Sequence, residues 1–187
     1  VRQDGLVMKA RAVALDLQRV IDESGLKISE LVESRSFRKL SALFGSYYKN
    51  QLSADFIGRE DYTNIYAFYH PTLVEIPDDV FYAAMLTLFY TERVSKAYRM
   101  MQVRQQLDHL SPEMEGLKED IEFFRKAADH YEFHRIKEAE QIVNELLKKY
   151  PGHPGFMKFK CRFLMEDAGE NRIEAERFLD KALKMFP

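Results

Sequence analysis

Tryptophan is absent from this chain and cysteine occurs once, as Cys161. A single thiol excludes an intramolecular disulfide and any Cys-rich metal knuckle, and it suits a reducing compartment, so a cytoplasmic setting is expected. No long apolar run is present: the longest dense one, Val80–Tyr90, falls far short of the roughly 20 residues that cross a bilayer, so it reads as a buried helix and no membrane partner is expected. Charge of one sign is lacking too. A formal net charge of -2 and a pI near 6.3 give no overall attraction to phosphate polymers, so nucleic acid is not an expected partner. Neither a glycine-rich phosphate loop nor a Ser/His/Asp grouping at a strand-to-helix elbow occurs, and nothing in the sequence requires catalysis.

What the chain does have is aromatic and soft: 14 Phe and 10 Tyr with 8 Met, enough to build an adaptable core in 187 residues. Helical periodicity dominates, and the helix breakers fall between the periodic segments. A first helix over about Leu6 to Glu23 is expected to end at Ser24-Gly25, and a second to run from Ile28 to Tyr48 with Ser29 as a cap and Gly45 as a weak point. Tyr62–Tyr69 mixes helix and strand signals, and a short helix is preferred because a lone strand has no partner. His70-Pro71 through Ile76-Pro77 should be extended. Asp78 is expected to cap one long helix to about Leu110, apolar all round in its first three turns and striped afterwards. Ser111-Pro112, followed by Glu113 and Glu115, restarts a helix.

The C-terminal part repeats itself. Glu138–Pro151 (EAEQIVNELLKKYP) and Glu174–Pro187 (EAERFLDKALKMFP) align without a gap at an offset of 36 residues, with six identities: Glu-Ala-Glu, Leu147/Leu183, Lys148/Lys184 and Pro151/Pro187. Alanine at i with apolar groups at i+4 and i+7 makes one continuous helix face, and the proline stops the helix so that the next can reverse. A unit of this size cannot bury its own apolar face, so it stacks on a neighbour. The expected fold is therefore all-α: antiparallel helical hairpins stacked as a short α-solenoid over 111–187, after an N-terminal helical region over 1–110. The second copy's apolar stripe is too wide for one partner helix, so association through that end is expected, and the chain reads as an excised piece of a longer protein.

Residues 120–187 resemble the tetratricopeptide repeat. Ala139 and Ala175 match its small position, Val143 and Leu179 the apolar residue four later, Leu146 and Ala182 the next contact, and Pro151 and Pro187 its closing proline. The first helices depart from the pattern: Phe124, Ala127, Ala128 and Tyr131 keep its aromatic and small spacing one register away, and Phe156, Phe159 and Phe163 fit with a longer connection at Ala168–Asn171. The resemblance implies a non-catalytic scaffold or adaptor that binds a peptide or another protein along the face of its first helices. On this chain that face would carry Phe124, Ala128, Tyr131, Lys160 and Leu164. The basic and Asn pattern by which some members hold a C-terminal carboxylate is missing, which disfavours a chaperone co-factor role.

Other constellations are read more plainly. His130 and His134 stand at i and i+4, a metal-gripping spacing, but Tyr131 occupies the place where a zincin has Glu, and no metal or cofactor is expected. Cys161 between Lys160 and Arg162 is read as a small buried hydrophobe rather than a nucleophile. Besides the scaffold, two alternatives follow: a homo-oligomerisation module, and the non-catalytic piece of a larger regulatory protein or enzyme.

Overall fold

The computed structural model describes residues 15, 18–19, 21–23, 25, 27–43, 76–90, 93–166 and 172–185, without the side chains of 41–43 and 185. The sequence expectations for Tyr62–Tyr69, for Gly45, for the Ala168–Asn171 break and for most of the first helix lie outside them. Among the described residues the protein is all-α, with no strand. The helices are α1 (Ile28–Ser34), α2 (Phe37–Leu43), α3 (Asp78–Tyr90), α4 (Val94–Leu107), α5 (Pro112–Glu132), α6 (Ile136–Lys149), α7 (Pro154–Glu166) and α8 (Arg172–Met185). The chain divides into two compact units: Val1–Arg35 with Lys39–Lys118, and Ser36–Arg38 with Glu119–Pro187.

The first unit is organised around α3. From Val80 to Tyr90 every residue of it is buried. A helix that is apolar all round must be enclosed, and α1 and α4 both pack on it. The expected single helix from Asp78 to Leu110 is in fact two. Arg93 leaves the helical region (φ -96°, ψ 39°), its N–H bonds back to the Leu88 carbonyl at 3.0 Å, and α4 returns antiparallel along α3. The reversal is fixed by Arg104. Its buried guanidinium donates to the Ile76 carbonyl at 3.0 Å and to Asp78 at 2.5 Å, and lies 4.7 Å over the Phe81 ring. Asp78 is therefore the partner of Arg104 rather than the cap, and the free N–H of Val80 is met by Asp79 at 2.8 Å.

The expected helix from Ile28 to Tyr48 is likewise broken, because Arg35 takes the left-handed conformation (φ 35°) between α1 and α2. The Tyr90 hydroxyl donates to the Arg35 carbonyl, which ties this break to the end of α3. Burial raises the Tyr90 phenol well above its ordinary value. Ser29 lies inside α1, which starts from Lys27 without a side-chain cap. Gly25, at φ 67°, has the left-handed backbone expected of a helix C-cap. Ser111 caps α5 as its sequence suggests: its hydroxyl accepts from the Met114 N–H at 3.4 Å and its carbonyl from Glu115 at 2.9 Å.

After α4 the exposed His109 pairs with Asp108 at 2.9 Å. The hydrogen bond to Asp108 raises His109 above the ordinary histidine value, and the same bond lowers Asp108. A raised histidine contributes stability that is full below its unfolded value of 6.5 and is lost as pH climbs through its folded value. A lowered aspartate contributes above its unfolded value of 3.8 and loses that contribution as pH falls through its folded value. The pair thus acts together between those two unfolded values, and exposure keeps its effect on stability small. The His109 imidazole, followed by NMR, is expected to titrate above 6.5, and Asp108→Asn is expected to bring its midpoint down.

In the second unit α5 and α6 form an antiparallel hairpin. Asp120, early in α5, accepts from the Tyr150 hydroxyl at 2.6 Å and pairs with Lys149, both at the far end of α6. The turn between these helices has a physical signature. The Arg135 N–H bonds to the His130 carbonyl at 2.8 Å and the His134 N–H to Tyr131 at 3.0 Å, while His134 takes φ 58°. This is a Schellman turn with histidine where glycine is favoured. His134→Gly is expected to raise stability by about 0.5–1 kcal/mol, since glycine meets no Cβ penalty there. A denaturation midpoint that falls would contradict it.

Candidate functional site

The aromatic side chains of α5 and α7 meet in a ladder. Phe124 lies 4.7 Å from Phe156 and 5.3 Å from Phe159 between ring centroids, and Tyr131 lies 5.7 Å from Phe159 and 5.8 Å from Phe163. From Phe124 to Tyr131 on α5 the partners on α7 advance from Phe156 to Phe163, so these two helices run parallel. The two contacts of Phe159, with Phe124 and with Tyr131, are edge-to-face, a geometry that aromatic quadrupoles favour, and the other two are tilted. At the far end the Tyr131 hydroxyl donates to Glu166 at 2.6 Å, and that bond raises the phenol above its ordinary value. α7 starts at a cap that the sequence reading missed. The buried His153 stacks on Phe156 at 3.9 Å, and its Nδ1 accepts from the Phe156 N–H at 3.4 Å. A His-Pro pair after Pro-Gly is the signal for it.

Of the residues that the repeat resemblance singled out, three share this face. Phe124, Ala128 and Tyr131 follow at i, i+4 and i+7 on α5, each half-buried, and Phe159 of α7 reaches both rings that flank the small Ala128. Phe159 on α7 is half-buried beside them, with the Arg162 guanidinium 5.7 Å from its ring. Lys160 and Leu164 do not join them. Leu164 is 4 % exposed and belongs to the core. Lys160 turns toward α6, where it pairs with Glu140 at 2.6 Å. The physical reason is register: on a 3.6-residue helix Phe156, Phe159 and Phe163 form one stripe, and Met157, Lys160 and Leu164 form the next.

Of the other reactive side chains, His130 buries an Nδ1 that meets no hydrogen-bond partner among the described residues. His134 lies past the end of α5 in its turn, so it does not stand over His130 on a shared helix face. Among the described residues no group of three His, Cys, Asp or Glu is placed to hold a metal ion. Burial pushes the Cys161 thiol up, opposite to what an activated nucleophile needs. A shallow groove of about 460 Å³ within the second unit is lined by Arg38 of α2 and by Arg177, Asp180, Lys181 and Lys184 of α8, and is mostly basic. No helix among the described residues is long and apolar enough to cross a membrane. Comparison of the chain with known protein families, curated proteins and solved structures found no match.

Proposed function

We propose that this chain is a non-catalytic interaction module, a short stack of helical hairpins of tetratricopeptide type, that binds a peptide or helix of another protein. The observation that carries this reading is the half-buried aromatic surface of Phe124, Tyr131 and Phe159 on two parallel helices, with Ala128 beside them. Aromatic rings supply large contact area at low entropic cost, which suits them to anchor a partner. The partner is a protein rather than nucleic acid or a membrane, and the reducing cytoplasm is the proposed compartment.

The reading is tested with an immobilised peptide array probed with the protein and with its Tyr131→Ala and Ala128→Glu variants. Peptides that bind the parent and are lost with both variants support the face. Binding that survives both variants unchanged would sink it. A second reading, self-association through α8, draws on the exposed Leu179 and Leu183; the internal repeat favours a different occupant for that side of the helix.

A further inference from the structure

The two copies of the repeated helix are alike in sequence and unlike in surroundings. On α6, Glu140, Val143 and Leu147 follow at i, i+3 and i+7 and so share one side. Glu140 pairs with Lys160 of α7, Val143 is fully buried and Leu147 is half-buried, which makes this the side that α7 covers. Their counterparts 36 residues on are Glu176, Leu179 and Leu183. On α8 the same side is open: Leu179 is 37 % exposed, Leu183 68 %, and the Glu176 side chain 64 %. The copy thus keeps the chemistry of a covered face, including the acid that met a lysine. The adjoining apolar side of α8, with buried Ala175, packs toward α7. Asp180 replaces Asn144 beside Glu176, while Arg177 and Lys181 replace Gln141 and Glu145 on the flank beyond it.

We propose that the Glu176, Leu179, Leu183 side of α8 docks an amphipathic helix of another polypeptide, laid antiparallel to α8. The occupant has the chemistry that α7 presents to α6: an apolar residue, a cation three positions on and an apolar residue four further, as in Met157, Lys160 and Leu164. The internal repeat favours such a helix: it shows what covers a like face one unit earlier, and Glu176 is the counterpart of the acid that meets Lys160 there, so it matches a cation on the partner. In the present state Glu176 is held by Arg172 at 3.1 Å, an exposed i,i+4 pair that is given up at little cost.

The probe is a synthetic peptide of the α7 sequence 153–167 with serine in place of its cysteine, titrated into the full chain while NMR reports the α8 amides. Saturable binding that perturbs α8 is expected. Leu183→Glu, at an exposed position that leaves the fold intact, should weaken it by about tenfold or more, the scale of one buried leucine. Glu176→Lys should weaken it severalfold, and a peptide carrying glutamate at the Lys160 position should recover the loss. Absence of saturable binding would overturn the proposal. So would binding indifferent to both variants, or light scattering that shows a dimer abolished by Leu183→Glu. Tyr131→Ala should leave this binding unchanged, so failure here is distinct from failure of the aromatic face.

Discussion

Ala139→Arg is expected to cost at least about 3 kcal/mol of stability, among the largest losses of any single change in the second unit. Ala139 has no exposed surface and lies on the buried side of α6 with Ile142, Val143 and Leu146. An arginine there must either bury an unpaired guanidinium or push α6 off its neighbours, and the tight packing of a helix interface accommodates neither. The equivalent Ala175→Arg should cost less, about 1–2 kcal/mol, because Ala175 retains 8 % of its surface and its helix is open on one side. Equilibrium denaturation of both variants measures the order. Equal small losses, under about 0.5 kcal/mol each, would remove the basis for treating these alanines as hairpin contacts.

The second large effect is expected in the first unit. Arg104→Ala should cost about 3 kcal/mol, since it leaves a cavity against Phe81, an unmet carbonyl at Ile76 and an unpaired Asp78. Asp78→Ala should cost less, about 1–2 kcal/mol, because the carboxylate is 42 % exposed and water can reach the side of the guanidinium that it leaves. Arg104→Met is the informative control: a buried ion pair is often replaced by an apolar group of similar size at small cost, so this variant should sit above Arg104→Ala in stability. If all three variants unfold at the parental denaturant midpoint, the α3–α4 reversal is held by something other than this pair.

Much of the C-terminal unit was legible in the sequence because its breakers and its periodicity agree. Ser111-Pro112 starts α5, Pro151 and the following Gly-His-Pro separate α6 from α7, and the Ala139 and Ala175 stripes mark the faces that close the hairpins. The break between α3 and α4 was not legible in the same way, since no glycine or proline marks it and an arginine takes the non-helical conformation. Its trace was the change at Tyr90 from a helix apolar on every side to one with a stripe, which signals two environments and hence two helices. The break at Arg35 carries no comparable mark, because left-handed backbone is uncommon for arginine.

The candidate face was legible in part for the same reason. Phe124, Ala128 and Tyr131 follow from spacing within one helix, which a sequence states directly. Leu164 and Lys160 depend on which stripe of α7 faces α5 and which faces α6, a choice of about 100° of helix rotation that spacing alone does not make. The Lys160–Glu140 pair, across a hairpin, shows the answer only once the hairpin is formed. Its echo at Glu176 was present in the sequence as the repeated Glu-Ala-Glu, without any sign of which glutamate is partnered.

α7 stacks on the α5–α6 hairpin with α5 and α7 parallel, and this order of the rings creates the aromatic face. Nuclear Overhauser contacts between ring protons test it most directly. Cross-peaks from Phe124 to Phe156 and Phe159, and from Tyr131 to Phe159 and Phe163, are predicted, with none from Phe124 to Phe163. Contacts in the reverse order, Phe124 with Phe163 and Tyr131 with Phe156, or no contact between the rings of α5 and those of α7, would contradict the account.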